Sequence, residues 1–189
     1  MIKHTTPDTA SQRRATLRAV LNPGLVIAPG VFDGISARLT DRMGFTALYM
    51  TGYGTVASAF GLPYTQMEER ARTIAGITST PLIAHADTGY GGLLNVQCTV
   101  RGYEAAGICA IQLEDQEFPK KCGHMLGRRV VPVGDMIAKV RVAMEKAFAG
   151  LKEKRSSAEP AVPVHEFQAM SRLMGFGDVS AFDRKYRGE

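Results

Sequence analysis

The chain of 189 residues contains no tryptophan and three cysteines, Cys98, Cys109 and Cys122. So few cysteines, and an odd number of them, argue against a disulfide-stabilised secreted domain and favour a reducing compartment. No apolar run approaches the roughly 20 residues of a membrane-spanning helix. The amino-terminal segment also lacks the apolar block of a secretory signal. We therefore expect a cytoplasmic protein, with a mitochondrial location as the alternative because this segment is basic and rich in hydroxyl groups.

Motifs for nucleotide binding are absent as well. The sequence has neither GxGxxG nor a P-loop, and its 7% of aromatic residues offer no obvious surface for stacking bases. It does have 45% hydrophobic residues, enough for a packed core, and a formal charge of +5 from 23 lysines and arginines against 18 aspartates and glutamates. This modest charge suits a small anionic metabolite, and we expect neither a nucleic acid nor a membrane as partner.

Short apolar segments alternate with amphipathic ones in the middle of the chain. Four apolar segments predict buried strands: residues 25–28, 47–50, 81–86 and 110–113. Helical patterns separate them, with starts expected at Thr65, in a capping box with Glu68, at Asn95 and at Asp135. Apolar strands that alternate with helices pair in parallel, so an α/β fold with four βα units is predicted.

The same patterns divide the chain into three parts. Residues 1–24 predict a polar tail and a short helix, and residues 25–152 the α/β domain. Residues 153–189 begin with a linker composition and continue with helical patterns. We expect the chemistry in the middle part.

Polar and glycine-rich residues follow the second, third and fourth predicted strands. They are Thr51-Gly52-Tyr53-Gly54, His85, Asp87, Gly89, Gly91, Gly92, Glu114 and Asp115. His85 and Asp87 share one face of their strand, and Asp87 and Glu114 are suited to share one hydrated Mg²⁺. The alternatives are structural: a tight turn at residues 51–54, a turn-capping Asp87, a hydrogen-bonded His85 and a solvated strand end at Glu114.

The loop after the fourth strand surrounds a thiol with positive charge. Lys120, Lys121 and His124 flank Cys122, and such cations favour the thiolate. Gly123 gives this loop a hinge with which it can close over a substrate. An ordinary surface thiol is the alternative for Cys122, whereas Cys98 and Cys109 are predicted to be small buried hydrophobic residues.

Taken together and in order, six segments resemble the isocitrate lyase/phosphoenolpyruvate mutase superfamily. They are Pro29-Gly30-Val31-Phe32-Asp33, Tyr49-Met50-Thr51-Gly52-Tyr53-Gly54, Gly61-Leu62-Pro63, Ala86-Asp87-Thr88-Gly89-Tyr90-Gly91, Ile111-Gln112-Leu113-Glu114-Asp115-Gln116 and Lys120-Lys121-Cys122-Gly123-His124. The similarity is greatest to the branch of 2-methylisocitrate lyases, dimethylmalate lyases and carboxyphosphonoenolpyruvate mutases. This resemblance implies a (β/α)₈ barrel, a Mg²⁺ cofactor with Mn²⁺ as the alternative, and cleavage of a C–C or P–C bond in a small 2-hydroxy or 2-oxo carboxylate through an enolate.

The resemblance also implies roles for individual residues. Tyr49, Thr51, Gly52, Tyr53 and, on the loop, Gly123 would hold the carboxylate of the substrate. Asp87 and Glu114, with His85 beside them, would hold the metal, which stabilises the enolate oxygen. Cys122 would be the general acid/base on the mobile loop, assisted by Lys121 and His124.

Three departures from the family pattern accompany this resemblance. His85 and Tyr64 stand where the family has aspartates, and an imidazole suits softer metals than Mg²⁺. A full barrel needs about 250 residues, and the family's fifth-strand signature is missing, so we expect a truncated barrel with an internal deletion, whether natural or an error of the gene model. Its open edges predict a homo-oligomer or association with a full-length relative. The resemblance implies that subunits of a homo-oligomer exchange the carboxyl-terminal helix. A catalytically impaired relative that acts by such association is the alternative to an active lyase.

Overall fold

A computed structural model describes residues 9–21, 25–58, 62–121, 126–127 and 129–152. In chain order its helices and strands are α1 (Ala10–Leu21), β1 (Gly30–Val31), α2 (Gly34–Asp41), β2 (Leu48–Met50), α3 (Gly52–Ala57), α4 (Tyr64–Ile77), β3 (Leu82–His85), α5 (Leu93–Ala105), β4 (Ala110–Gln112) and α6 (Val133–Lys152). None of these helices is both long and apolar enough to span a membrane. The predicted linker and tail, residues 153–189, lie outside the described residues, so the predicted domain boundaries stay a prediction.

The four strands form one parallel sheet in the order β1-β2-β3-β4. Tyr49 of β2 lies opposite Ile83 of β3, and Ala84 of β3 lies opposite Ile111 of β4. Because neighbouring strands run in the same direction, a helical crossover joins each pair and all carboxyl ends meet at one edge. The prediction of an α/β fold with four βα units is confirmed.

The core lies between the sheet and helices α4 and α5. Its fully buried side chains include Leu48, Met50, Leu82, Met67, Ile74, Val96 and Tyr103. The predicted helical stripes therefore face the sheet, and each large apolar side chain stabilises the fold by about 1.5–3 kcal/mol through burial. Helix α1 packs near the point where the chain passes from α4 to β3. There the Arg13 side chain donates to the carbonyls of Ala75 and Thr78 at 2.7 and 3.0 Å.

The first predicted strand was wrong. Residues 25–28 are not a buried strand, and the Leu25 side chain is 92% exposed. Pairing with β2 begins at the carbonyl of Pro29, which accepts from the Tyr49 N–H at 3.0 Å, and ends at Val31. Proline has no N–H to donate, and β1 has a neighbouring strand on only one side, so no element of the described part of the chain covers the apolar residues before β1.

Three local predictions at helix starts were also wrong. Helix α4 begins after Pro63, so Thr65 lies inside its first turn and does not cap the helix. Glu68, the expected partner of Thr65 in the capping box, forms an ion pair with Arg72 four residues further along. Gly92 precedes α5, and the Asn95 side chain accepts from its N–H at 3.2 Å. Helix α6 begins at Val133, two residues before the expected start at Asp135. Residues 51–54, for which a tight turn was the alternative, include the start of α3.

Helix α2 has a well-capped start and an uncovered apolar face. Asp33 accepts from the Ser36 N–H at 2.7 Å, and this bond is the main reason why the pKa of Asp33 is lowered. On the outward face, Ile35, Leu39 and Met43 are 81%, 64% and 66% exposed. The described structure therefore presents an apolar surface beside the open edge at β1.

Candidate active site

Five polar side chains meet at the carboxyl edge of the sheet. Tyr49 comes from β2, His85 ends β3 and Gln112 ends β4, while Asp87 and Glu114 follow β3 and β4 directly. His85 lies opposite Gln112 in the strand register. The sheet therefore brings together residues from three strands, as expected for the functional edge of a parallel α/β fold.

The ammonium group of Lys120 lies at the centre of this cluster. Its Nζ is 2.9 Å from Asp87 Oδ2 and 3.5 Å from Glu114 Oε2. It also donates to His85 Nε2 at 3.1 Å. Lys120 is only about one quarter exposed, so these ion pairs are partly shielded from water. We refer to Lys120, Asp87, Glu114 and His85 as the lysine cluster.

The imidazole of His85 is held on both sides. Lysine can only donate, so Nε2 accepts and the ring proton lies on Nδ1, which faces the Tyr49 hydroxyl at 3.4 Å and Gln112 Oε1 at 3.5 Å. The residue is 5% exposed. Burial, reinforced by the Lys120 charge, lowers the pKa of His85 below its ordinary value, and the imidazole is neutral near pH 7.

Gly52 allows this ring to lie against the start of α3. A Cβ atom at position 52 would be 2.2 Å from His85 Cδ2 and 2.5 Å from Nε2. No real Cβ approaches another heavy atom so closely, so a side chain at this position would force the ring or the backbone to move. Glycine at position 52 is therefore needed for the position of His85, a role that the sequence alone did not indicate.

Tyr49 remains a neutral phenol in this site. Its hydroxyl donates to Gln112 Oε1. Burial raises the pKa of Tyr49 to about 12, and the charge of Glu114 acts in the same direction. Tyr49 therefore serves as a hydrogen-bonding group rather than as an anion.

The backbone fixes the two carboxylates of the lysine cluster. Asp87 has a φ of +53°, and its Oδ1 accepts from the Thr88 N–H at 2.7 Å. The Glu114 N–H donates to the carbonyl of Asp87 at 2.8 Å. The strained Asp87 is thus tied both to its own turn and to the neighbouring strand end.

A tyrosine group supports the site from behind. The Tyr103 hydroxyl donates to the carbonyl of His85 at 3.2 Å and lies 3.0 Å from the Tyr90 hydroxyl. Tyr64 packs on both rings, with centroids 5.4 Å from Tyr90 and 6.2 Å from Tyr103. Tyr64 therefore lies in a packed aromatic group.

The predicted site residues divide into three sets. The first set, Tyr49, His85, Asp87 and Glu114, lies together at the carboxyl edge of the sheet. The second set, Thr51, Tyr53 and Lys121, shows no hydrogen bond or ion pair with the first among the described residues: Tyr53 is exposed, and Thr51 donates its N–H to the carbonyl of Val31. Lys121 is exposed as well, and its backbone N–H donates to Gln116 at 3.3 Å. Cys122, Gly123 and His124 lie outside the described residues. Their roles stay predictions.

The two other cysteines differ from the prediction. Cys98 is exposed on α5, because it lies on the opposite side of the helix from the buried Val96 and Val100. Cys109 is partly buried, and burial raises the pKa of its thiol. Neither thiol is in contact with the lysine cluster.

Sequence reasoning placed Lys120 beside Cys122 instead of with the carboxylates, and it missed Gln112 as a member of the site. Gln112 stands two residues before Glu114, and this alternation along the strand was a usable signal. Lys120 had no such signal, because the path of its loop, not a strand, decides where its ammonium group lies. Gln116, which donates to Glu114 Oε2 at 3.0 Å, was missed for the same reason.

The donor set does not fit the Mg²⁺ ion that the resemblance implies. Within the described ranges, no group of three or more histidines, cysteines, aspartates and glutamates is arranged to hold a metal ion. The two carboxylates do converge, but on the Lys120 ammonium, and the third neighbour is an imidazole, which Mg²⁺ disfavours. The cluster as described is a site that already contains a cation.

Comparison with known proteins assigns the family. A family model described as phosphoenolpyruvate phosphomutase matches residues 17–152, well over half of the chain. The chain belongs to this family. It is 48% identical over 144 residues to 2,3-dimethylmalate lyase of Eubacterium barkeri, covering 73% of this chain and 49% of that protein. It is 37% identical over 142 residues to 2-methylisocitrate lyase of Bacillus subtilis, covering 72% and 47%.

Solved structures of family members show the same fold. Oxaloacetate acetylhydrolase in complex with 3,3-difluorooxalacetate matches with a TM-score of 0.71 and 37% identity, over 77% of this chain and 52% of that one. Phosphonopyruvate hydrolase in complex with oxalate and Mg²⁺ matches with a TM-score of 0.63 and 32% identity, over 71% and 48%. The chain thus spans about half the length of the relatives that it matches. Its four βα units correspond to a truncated barrel of the phosphoenolpyruvate phosphomutase family.

Proposed function

We propose that this chain is a carbon–carbon lyase that cleaves a small 2-hydroxy carboxylate through an enolate. The observation that supports it most is the meeting of Tyr49, His85, Asp87, Glu114 and Lys120 at the carboxyl edge of the sheet in a member of this family. Its relatives at 48% and 37% identity are named as lyases of 2,3-dimethylmalate and 2-methylisocitrate. A malate-like or methylisocitrate-like acid is therefore the substrate class.

The proposed reaction needs one base, one acid and a cationic site. The base removes the proton of the substrate hydroxyl, whose oxygen becomes the carbonyl of a 2-oxo acid as the carbon–carbon bond breaks. The electron pair of that bond passes to a carbon next to a carboxylate as an enolate, and the acid protonates this carbon. Glu114, about one fifth exposed, is our candidate for the base, and Cys122 stays our candidate for the acid.

The remaining residues bind and orient the substrate. The first N–H groups of α3, at Gly52 and Tyr53, have no partner within the helix and are our candidates for binding the substrate carboxylate. Neutral His85 and Tyr49 hold Lys120 and Gln112 in place through hydrogen bonds without adding charge to the site. Phosphonopyruvate hydrolase was solved in complex with oxalate and Mg²⁺, but the donor set of this chain does not fit that ion.

The test is turnover by the purified chain. It is incubated with 2,3-dimethylmalate or 2-methylisocitrate, with and without Mg²⁺, and the released 2-oxo acid is measured as its phenylhydrazone. Cys122→Ser is expected to lower the rate at least 100-fold, in the range of a lost general acid. Cys98→Ser, which changes the exposed thiol of α5, is the matched control and keeps the full rate. No release above the Cys122→Ser level with either substrate would refute the proposal.

The exposed face of α2 favours a second candidate, a catalytically impaired relative that acts by association with full-length family members. Ile35 and Leu39 on α2 and Met43 just after it are exposed, as is Leu25 before β1. Several exposed large apolar side chains often mark an interaction surface, and an open strand edge pairs readily with another chain.

Light scattering after gel filtration tests this candidate. The wild-type chain should form dimers or larger assemblies, alone or with a full-length relative, and Leu39→Glu should release monomers. Gln66→Glu, which adds the same charge at an exposed position of α4, should change nothing. Robust turnover by a monomeric wild-type chain would exclude the second candidate.

A further inference from the structure

The Lys120 ammonium occupies the one position toward which both carboxylates of the lysine cluster point. Nζ lies 2.9 Å from Asp87 Oδ2 and 3.5 Å from Glu114 Oε2. With His85 neutral, the two carboxylates and Lys120 carry a net charge of −1. The chain itself therefore supplies a cation that neutralises one of the two carboxylate charges.

His85 fixes the ammonium in this position. Its Nε2 accepts a hydrogen bond from Nζ at 3.1 Å, and the ring cannot retreat, because it lies against Gly52 on one side and faces Tyr49 and Gln112 on the other. Asp87, Glu114 and His85 thus each present an acceptor atom to the Lys120 ammonium, which has three protons to donate. An ordinary exposed ion pair, by contrast, has no buried third acceptor and contributes little.

A divalent ion cannot enter while Lys120 stays. Mg²⁺ and similar ions bind oxygen at about 2.0–2.1 Å, so an ion shared by both carboxylates would take the place of Nζ. Two positive charges a few ångströms apart repel each other strongly in a partly buried site. Metal and lysine therefore exclude one another.

We infer that Lys120 is the resident cation of this site, which replaces a divalent metal and keeps one from binding tightly. Asp87 and Glu114 form the acidic pair of a cation site, and the cation that they bind is the ammonium group of Lys120 in the same chain. This assignment concerns binding alone, so it holds whether or not the chain cleaves a substrate.

Titration with Mn²⁺, followed by electron paramagnetic resonance of the free ion, tests the assignment. Lys120→Met removes the charge and keeps a similar length, and it should bind Mn²⁺ at least about 10-fold more tightly than the wild type. Lys121→Met removes the same charge from the exposed neighbour and should stay within about 2-fold of the wild type. Lys120→Arg, which keeps the charge, should bind Mn²⁺ as weakly as the wild type does.

Folding and binding are measured on the same samples. Circular dichroism and thermal unfolding confirm that each variant is folded before it is titrated. Equal Mn²⁺ affinity of the wild type and folded Lys120→Met would overturn the assignment, whether both bind tightly or neither binds. If Lys120→Met fails to fold, Lys120→Gln takes its place under the same criterion. The lyase proposal is judged separately by turnover, so either can fail without the other.

Discussion

Gly52→Ala is the most informative single substitution in this chain. The new Cβ would lie 2.2 Å from Cδ2, 2.5 Å from Nε2 and 2.7 Å from Cγ of His85. His85 is buried and held on both ring nitrogens, so the ring cannot rotate away freely. Forcing an extra carbon into a packed site costs about 1–3 kcal/mol. We expect a loss of this size in the free energy of unfolding, together with displacement of His85 from Lys120.

Urea unfolding measures this loss, and Gly76→Ala is the matched control. Gly76 is an exposed glycine of α4 with no atom within 4 Å of its added Cβ. There alanine should stabilise the protein by about 0.5–1 kcal/mol, because it favours the helix more than glycine does.

A double-mutant cycle identifies the clash with His85 as the cause. His85→Ala removes the ring, so Gly52→Ala should cost nearly nothing in that background, with a coupling energy of at least about 1 kcal/mol. If Gly52→Ala is as stable as the wild type, or equally destabilising with and without the His85 ring, the close approach of these two residues is refuted.

Three further substitutions test other parts of the structure. Tyr103→Phe removes the hydrogen bond to the His85 carbonyl from a buried position and should lower the unfolding free energy in urea by about 1–3 kcal/mol. Asp33→Ala removes the cap of α2 and should cost about 0.5–2 kcal/mol. Because the folded pKa of Asp33 is lowered, this difference is present above pH 3.8 and should disappear as the pH falls below it, which unfolding at several pH values checks. Arg13→Met frees the carbonyls of Ala75 and Thr78 and should speed hydrogen exchange in α1 at least about 10-fold, while a rate equal to that of the wild type would show that these bonds do not hold α1.

The sheet was predictable because its strands are short apolar runs separated by helical patterns. Leu48, Met50, Leu82 and Ala84 are fully buried on the face toward the helices, whereas Tyr49 and Ile83 on the other face are partly buried. Residues 25–28 carry the same signal without being a strand. An apolar run does not reveal whether another element is present to cover it, and beside β1 no described element covers it.

The acidic pair was predictable and its cation was not. His85, Asp87 and Glu114 follow directly from the ends of strands, whose meeting place the fold decides. Lys120 reaches them through a loop that includes the antiparallel bridge of Gln116 with Val130 and two hydrogen bonds to the stretch 129–131. No local pattern encodes such a path. The resemblance therefore predicted a metal where the structure places an ammonium.

The hydrogen bond from the Glu114 N–H to the Asp87 carbonyl, 2.8 Å long, joins the ends of β3 and β4 at the site itself. A second bond, from the Ala86 N–H to the Gln112 carbonyl at 2.8 Å, repeats this tie one step earlier. The backbone positions of the two acidic residues are thereby coupled, so a shift of one strand end displaces both carboxylates together.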